Sequence, residues 1–481
     1  MKKIFYQVLI MMVFPLFFSC SPTDDSGSDD SGNAGNTDDT ENLEPVSPTK
    51  VPGAKDGTIY GTFINVWNSS SEKWWIVEDY HGLKTIWPDG TWKAPNWNDE
   101  GYRKLTYERL IEAGIDFIVT DNTNFTTAQT DRMVDDFNKN SSINLKFCVA
   151  LGDAQLQNTN VIRTWLSGFS NHSHYLKIND KPVLVCYVSK TLWDTKYKNE
   201  VAAPLYQDYY KVWACGENTA PDKWGWQVAP ADGLVDSEQA TYPTPSVKHQ
   251  ATGTGDRSWW SKSIAMLDYT YWQTRVFAPQ YVIASSYDDC SERNGWLPLQ
   301  TSEAREDGSN GRKPVSNIQM FDPWTGKIAD PYVFYNRMKS WVKGEELYHI
   351  AGGDLSDGIY RIRNVSGVYI QAVSDYKSPN MVYGQSSTKT YDKFCIYHLG
   401  DNKYRIVSVY TGMPLKLYGN KILTDVWTDG KEGEFALTKD TGNTEWILEP
   451  IGTFHKDEGK FKCRISMSNG LMTLGHFDKM K

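Results

Sequence analysis

The 481-residue chain has no CxxC pair, no cysteine or histidine group at metal-ligand spacing, and no glycine pattern of the dinucleotide-binding or phosphate-binding kind. It also has no basic stripe, and no uninterrupted apolar run long enough to span a bilayer. These absences argue against a metal centre, a nicotinamide or nucleotide cofactor and a nucleic-acid partner, and the opening apolar run is too short to be a spanning helix. The eight histidines are scattered, and His172 with His174 forms the one close pair, too little for a metal centre. After Cys20 the cysteines stand at 148, 186, 215, 290, 395 and 463, several in apolar strand-like runs. Free, buried thiols are expected there, because a body of this size does not need disulfides to be stable.

The start, Met1-Lys2-Lys3, leads into an apolar run from Ile4 to Phe18 broken only by Gln7 and Pro15, then Ser19-Cys20. A positive start, a short apolar core and a small residue before cysteine predict a lipoprotein signal over 1–20, with Cys20 as lipid acceptor. Residues 21–44 are Ser, Gly, Asn, Thr and acid, with eight carboxylates and no Lys or Arg. Such a composition predicts a disordered acidic tether, taken to span 21–55. Its acids account for the net charge of −9: without them and the two opening lysines, the 59 acidic and 50 basic residues fall to 51 and 48. The body is therefore near neutral, and no highly charged partner is implied. The start resembles the lipoproteins of Bacteroidetes-type bacteria. There, acids soon after the cysteine, here Asp24 and Asp25, accompany outer-membrane display facing the exterior, which places this chain in the cell envelope, lipid-anchored.

What the chain has in excess is aromatic surface, with 19 Trp and 28 Tyr. Trp74, Trp75, Trp87, Trp92, Trp97, Trp224, Trp226, Trp259, Trp260 and Trp296 stand in segments rich in Gly, Asn, Asp and Pro. Flat apolar faces with a polar tip suit sugar rings, although any single Trp can equally pin a loop.

From 56 to 345, short β-branched runs alternate with amphipathic stretches. Strands are predicted at 58–66, 116–120, 145–151, 182–188, 211–215, 233–235 and 281–285, with helices at 101–113 and 130–138. In the first helix Leu105, Leu110 and Ile111 are expected to face the core. Alternating strands and helices predict an α/β fold, a (β/α)8 TIM barrel with its eighth strand unplaced. From 346 to 481 the helical period is lost and a strand–Gly turn–strand unit recurs. Tyr360-Arg361-Ile362 with Gly367 and Ile370 is echoed by Tyr404-Arg405-Ile406 with Gly412 and Leu415, and again by Phe461-Lys462-Cys463 with Gly470. These units resemble the ricin-type β-trefoil family, with Phe394-Cys395-Ile396 and Trp446-Ile447-Leu448 closing the first two. The third has no closing segment before Lys481, which residues 347–350 are candidates to supply, and the Gln-x-Trp of that family is absent. An all-β, trefoil-like domain is expected, as a sugar-binding module or a structural cap.

Barrel chemistry resides where strands end. The polar residues at those points are Asp121-Asn122, Asp153, Tyr187, Glu217-Asn218, Asp236 with Glu238, and Asp288-Asp289 with Glu292. Cleaving an acetal needs one carboxylic acid to protonate the leaving oxygen and one carboxylate as nucleophile or base, so convergent acids suit glycoside hydrolysis. For Asp121, Asp153 and Asp236 the competing reading is helix capping. Glu is a poor cap, which singles out Glu238.

Three segments resemble the family 71 and family 99 glycoside hydrolases. They are Ala113-Gly114-Ile115-Asp116-Phe117-Ile118-Val119-Thr120-Asp121, the hairpin Tyr175-Leu176-Lys177-Ile178-Asn179-Asp180-Lys181-Pro182-Val183-Leu184, and Ser286-Tyr287-Asp288-Asp289-Cys290-Ser291-Glu292. In the last, relatives carry Asn-Glu where this chain has Asp288-Asp289, and the Glu-rich motif of family 99 is not recognisable. The resemblance implies a barrel with an open, carbohydrate-directed face, and acid–base cleavage of an acetal requires no cofactor. The resulting expectation is a surface-anchored, endo-acting hydrolase of polysaccharide or complex glycan. Glu238 with Asp289 or Asp288 would act as the acid pair. Asp121, Glu217, Tyr187, Glu292, Trp74, Trp75, Trp226 and Trp296 would bind substrate. The alternative is a non-catalytic glycan-binding lipoprotein.

Overall fold

The computed structural model divides the chain into Met1–Asp38 and Asp39–Lys481. It describes most of 59–64, 85–123, 127–197 and 207–215, short runs between 240 and 344, and the strand-bearing parts of 357–466. The predicted signal, tether, strand at 233–235, boundary at 345–346 and closing segment at 347–350 lie outside the described residues. Among the described residues no helix is long and apolar enough to cross a membrane.

The N-terminal part is a parallel sheet flanked by helices. In chain order its elements are β1 (Ile59–Ile64), α1 (Glu100–Ala113), β2 (Phe117–Asp121), α2 (Ala128–Lys139), β3 (Lys146–Gly152), α3 (Thr159–Ser170), β4 (Lys181–Val188), β5 (Tyr210–Cys215), β6 (Ala240–Thr241), β7 (Tyr281–Ala284) and α4 (Val333–Lys343). Spatially the order is β5-β4-β3-β2-β1-β7-β6, every neighbouring pair parallel. Outward from β1 the strands run β2 to β5 in sequence order on one side and β7 then β6 on the other, as in a barrel opened at one seam. Among the described residues no ladder joins β5 to β6, and the sheet is a parallel half-barrel. The central strands carry continuous apolar runs rather than alternation, because both faces are covered: Phe147 to Leu151 are all essentially inaccessible. At Gly61 a Cβ would come within 2.2 Å of the Phe117 ring on the paired strand, which explains the glycine in a β-branched run.

Local signals set the boundaries. Asp99 caps α1 by accepting from Tyr102 N–H, and Gly114 ends it at φ 83°, with Ile115 N–H bonded back to Leu110 O. The predicted core face of this helix is corrected by the structure. Leu110 is buried, but Ile111 is 42% exposed, and the inward face is built from Tyr102, Thr106, Tyr107, Arg103 and Arg109. Two arginines can lie inward because each is paired. Arg103 Nε is 2.6 Å from Asp136 Oδ2, and Arg109 donates to Thr85 Oγ1 and Ile86 O. The hairpin before β4 forms as its sequence implies: Lys177-Ile178 pairs antiparallel with Lys181-Pro182, and Asn179 and Asp180 take the left-handed turn conformation at φ 50° and 62°.

The C-terminal part is an antiparallel sheet of β8 (Gly358–Tyr360), β9 (Arg363–Asn364), β10 (Tyr369–Ala372), β11 (Met381–Gly384), β12 (Phe394–Gly400), β13 (Lys403–Ser408), β14 (Leu415–Tyr418), β15 (Lys421–Thr424), β16 (Glu434–Lys439), β17 (Glu445–Pro450) and β18 (Cys463–Ser466), with β14 and β15 forming a separate hairpin. The last strand, β18, pairs with β9 of the first unit, so the final repeat closes on the first. The repeat is visible in the core: Tyr360, Ile362 and Ile370 are buried, and so are their counterparts Tyr404, Ile406 and Leu415. The tight turn between β12 and β13 has Asp401 and Asn402 at positive φ, and Gly412 turns the second unit at φ 68°.

Polar groups bury a junction between these two parts. Arg337 of α4 makes a bidentate pair with Asp268 at 2.8 and 2.7 Å, Tyr397 of β12 donates to the same carboxylate at 3.0 Å, and the guanidinium lies over the Trp324 and Trp341 rings. Burial pushes the Asp268 carboxyl up to about 6, against the pull of Arg337 and Tyr397. Nearby, Trp324 Nε1 and His398 N–H both donate to Asp357, and Arg405 links Pro323 O to Glu434. Cys148, Cys186 and Cys395 are free and buried, as expected; burial holds Cys186 up to about 12 and the other two above the ordinary thiol range. Replacing Asp268 by Asn leaves the buried guanidinium without its counter-charge. A loss of about 3–5 kcal/mol in chemical denaturation at pH 7.5 is predicted, and a loss below about 1 kcal/mol would show that the pair contributes little.

Candidate active site

The register of a parallel sheet fixes where its strand ends meet. Ile64 pairs with Thr120, Asp121 with Ala150, and Gly152 with Tyr187, while Thr62 of β1 pairs with Ala284 of β7. The C-terminal ends of β1, β2, β3, β4 and β7 therefore form one edge, which carries Asp121, Asn122, Asp153, Tyr187 and, just past β7, Asp288.

Asp121 is half-buried, and its Oδ1 accepts from Thr123 N–H at 3.0 Å and Thr123 Oγ at 2.6 Å. This is an Asx turn at the strand tip. Asp121 does not cap α2, which begins seven residues later without a side-chain cap. Asn122 is fully buried and pairs its amide with Thr130 Oγ1, tying the strand end to α2. Asp153 opens the short helix Asp153–Gln157, and its Oδ1 accepts from Tyr197 OH at 2.6 Å. Tyr187 is half-buried with its ring edge-on to Phe63.

Asp288 has no exposed surface: its Oδ2 accepts from Trp97 Nε1 at 2.7 Å and from Tyr102 OH at 3.2 Å. In this geometry no substrate atom reaches it, and it ties the end of β7 to the start of α1. Trp296 is also enclosed. Its Nε1 bonds Thr62 Oγ1, its ring stacks on Tyr335 and meets Tyr287 edge-on, so it packs the core rather than offering a face to a sugar. The same holds for Trp97, which is inaccessible and packs against Tyr102 and Tyr107. Cys20, Trp74, Trp75, Glu217, Trp226, Glu238, Asp289 and Glu292 lie outside the described residues. His172 and His174 bond Asn138 Oδ1 and Leu145 O respectively, and among the described residues no group of ligands could hold a metal ion.

Two partners escaped the sequence reading. Tyr197 reaches Asp153 across 44 residues from a π-helical turn, Trp193–Tyr197, which no periodicity announces. Tyr102 lies in a predicted helix, but nothing local indicates that its hydroxyl meets a carboxylate 186 residues away.

No family model matches the chain, and no curated protein matches it either. Among solved structures, two of a GH99 endo-α-mannosidase from Bacteroides thetaiotaomicron align at 10% and 11% identity, over 59% of this chain and 96% of theirs, each with a TM-score of 0.39. A designed threefold-symmetric protein, ThreeFoil, aligns at 17% identity over 23% of this chain and 89% of its own, with a TM-score of 0.18. None of these scores reaches the level at which two folds are taken as the same.

The Asp288 contacts predict a graded response. Asp288→Ala leaves two buried donors without their acceptor and should cost about 3 kcal/mol in urea denaturation, whereas Asp288→Asn keeps an acceptor oxygen and should cost about 1 kcal/mol. Equal small losses for both would contradict the bonding described.

Proposed function

We propose that this protein is a glycoside hydrolase held at the cell envelope through a lipid on Cys20, acting within polysaccharide or complex glycan chains. The observation that carries the reading is the shared edge. Carboxylates stand at the ends of adjacent parallel strands, where loops can approach a ligand without disturbing the packed sheet. The aromatic excess of the chain and its motif resemblance to the family 71 and 99 hydrolases support a saccharide as the ligand. With Asp288 enclosed, Glu238 and Asp289 are the proposed acid pair, and Asp288 holds the end of β7 in place. Asp121, Tyr187, Glu217 and Glu292 bind hydroxyls, and Trp74, Trp75 and Trp226 provide platforms. No cofactor or metal enters this chemistry, no nucleic acid is a partner, and the C-terminal domain is read as trefoil-like.

The enclosure of Asp288, together with Asp-Asp where relatives carry Asn-Glu, favours a second reading: capture of glycan without cleavage. The two separate on one variant. In the hydrolase reading, purified wild-type protein releases new reducing ends from at least one member of a broad polysaccharide panel. Glu238→Gln then lowers turnover by about 10²- to 10⁴-fold with affinity retained. Binding without cleavage by the wild type would instead establish capture.

Anchoring is tested separately. Cys20→Ser, expressed in a bacterium that processes lipoproteins, should move the protein from the membrane fraction to the soluble fraction and abolish incorporation of labelled fatty acid. Retention in the membrane would contradict the anchor.

A further inference from the structure

The edge described above carries a carboxylate that the acid-pair reading leaves without a role. Asp153 follows β3 directly, between the strand ends bearing Asp121 and Tyr187. Its side chain remains 31% exposed although it is held firmly. Tyr197 OH donates to Oδ1 at 2.6 Å, Gln157 Nε2 bonds Oδ2, and Lys196 Nζ stands 3.8 Å from Oδ1. Tyr197 is 4% exposed and Trp193 only 2%, so the π-helical turn that carries them is anchored by burial at both ends. A π turn takes one residue more per hydrogen-bonded ring than an α turn, which re-aims the side chains that follow it, and such turns recur at functional sites.

Neighbouring groups close in around the same point. A Cβ at Gly152 would come to 2.9 Å from Gln155 Oε1 and 3.7 Å from Thr123 Cβ, so the Asx turn of Asp121 passes directly over the end of β3. A methyl at 152 would rest in ordinary contact with that turn and displace only the end of the Gln155 side chain. The result is a carboxylate oriented by donors from two helical segments, flanked by a cation, and open to solvent on its remaining side. An ionised carboxylate only accepts hydrogen bonds, and its two oxygens match the spacing of adjacent ring hydroxyls.

We infer that Asp153 is a specificity-determining contact for vicinal hydroxyls of the glycan, with Tyr197 as its positioning residue. This rests on the saccharide reading of the edge and adds a subsite at the end of β3, on the opposite side of β2 from β7. Lys196 presents a donor to the oxygen of the same hydroxyl pair. Tyr197 has no contact with the ligand and acts only by fixing the carboxylate.

The test is calorimetric titration of the intact protein with the oligosaccharide that the wild type binds most tightly from a panel. Asp153→Asn should weaken binding about tenfold or more and Tyr197→Phe about threefold to tenfold, both with stoichiometry unchanged. The double variant should bind no more weakly than Asp153→Asn alone, because Tyr197 works through the carboxylate. For an oligosaccharide lacking one of the two hydroxyls, wild type and Asp153→Asn should bind alike. Unchanged affinity in both single variants overturns the inference and leaves the saccharide reading intact. Falling stoichiometry at constant affinity identifies a folding defect and overturns it too, additive losses overturn the role of Tyr197, and a wild type that binds no saccharide overturns both readings.

Discussion

Everything proposed for this chain depends on parallel pairing without slippage. In a parallel sheet the carboxyl ends of all strands point one way, so residues that are remote in sequence arrive at a common edge once the register is set. Here the register is held by bulk. Phe117 lies where a side chain at position 61 would be, and the strands from β2 to β4 are apolar on both faces, so a shift by one residue would break the interlock between rings and glycine. The site is a consequence of that constraint, since Asp121, Asp153 and Tyr187 are adjacent only because Ala150 lies opposite Asp121 and Tyr187 opposite Gly152.

The polar groups of the interior and the strand ends do two kinds of work. On the C-terminal edge they hold loops: Asp288 gathers Trp97 and Tyr102, Asn122 reaches Thr130, and Asp121 bends its own turn. Arg337, Asp268 and Tyr397 join α4 to the antiparallel part of the chain, the carboxylate taking both the guanidinium and the phenol while the rings of Trp324 and Trp341 cover the cation. Such a pair adds little stability over an apolar substitute but is costly to break, so its contribution is to fix one arrangement rather than to hold the molecule together.

Strands and turns were legible in the sequence because their signals are local. Runs such as Phe117-Ile118-Val119-Thr120 and Pro182-Val183-Leu184-Val185 pair as expected, Gly114 stops a helix, and Asn179-Asp180 makes a two-residue turn. The repeat was legible as well, since Tyr360 and Tyr404 recur with the same neighbours and share one core. What escaped was tertiary. Ile111 looks like a core residue beside Leu110, yet the inward face of α1 goes to Tyr102, Arg103 and Tyr107, whose partners lie in other elements. Trp296 reads as an exposed platform in a polar loop and is instead enclosed under Tyr287 and Tyr335, and Asp288 reads as a reactive acid and is sealed by an indole and a phenol. An aromatic in a polar segment gives no local sign of which way the loop folds.

The central claim is that the strand-end edge, and not the antiparallel sheet, receives the saccharide. It is tested most directly by a crystal structure of the Glu238→Gln variant with an oligosaccharide drawn from the panel. The account predicts sugar density over the ends of β2 to β4, with ring hydroxyls within about 3 Å of Asp121 or Asp153. Sugar seated only on the C-terminal sheet, with the edge empty at saturating concentration, would contradict it.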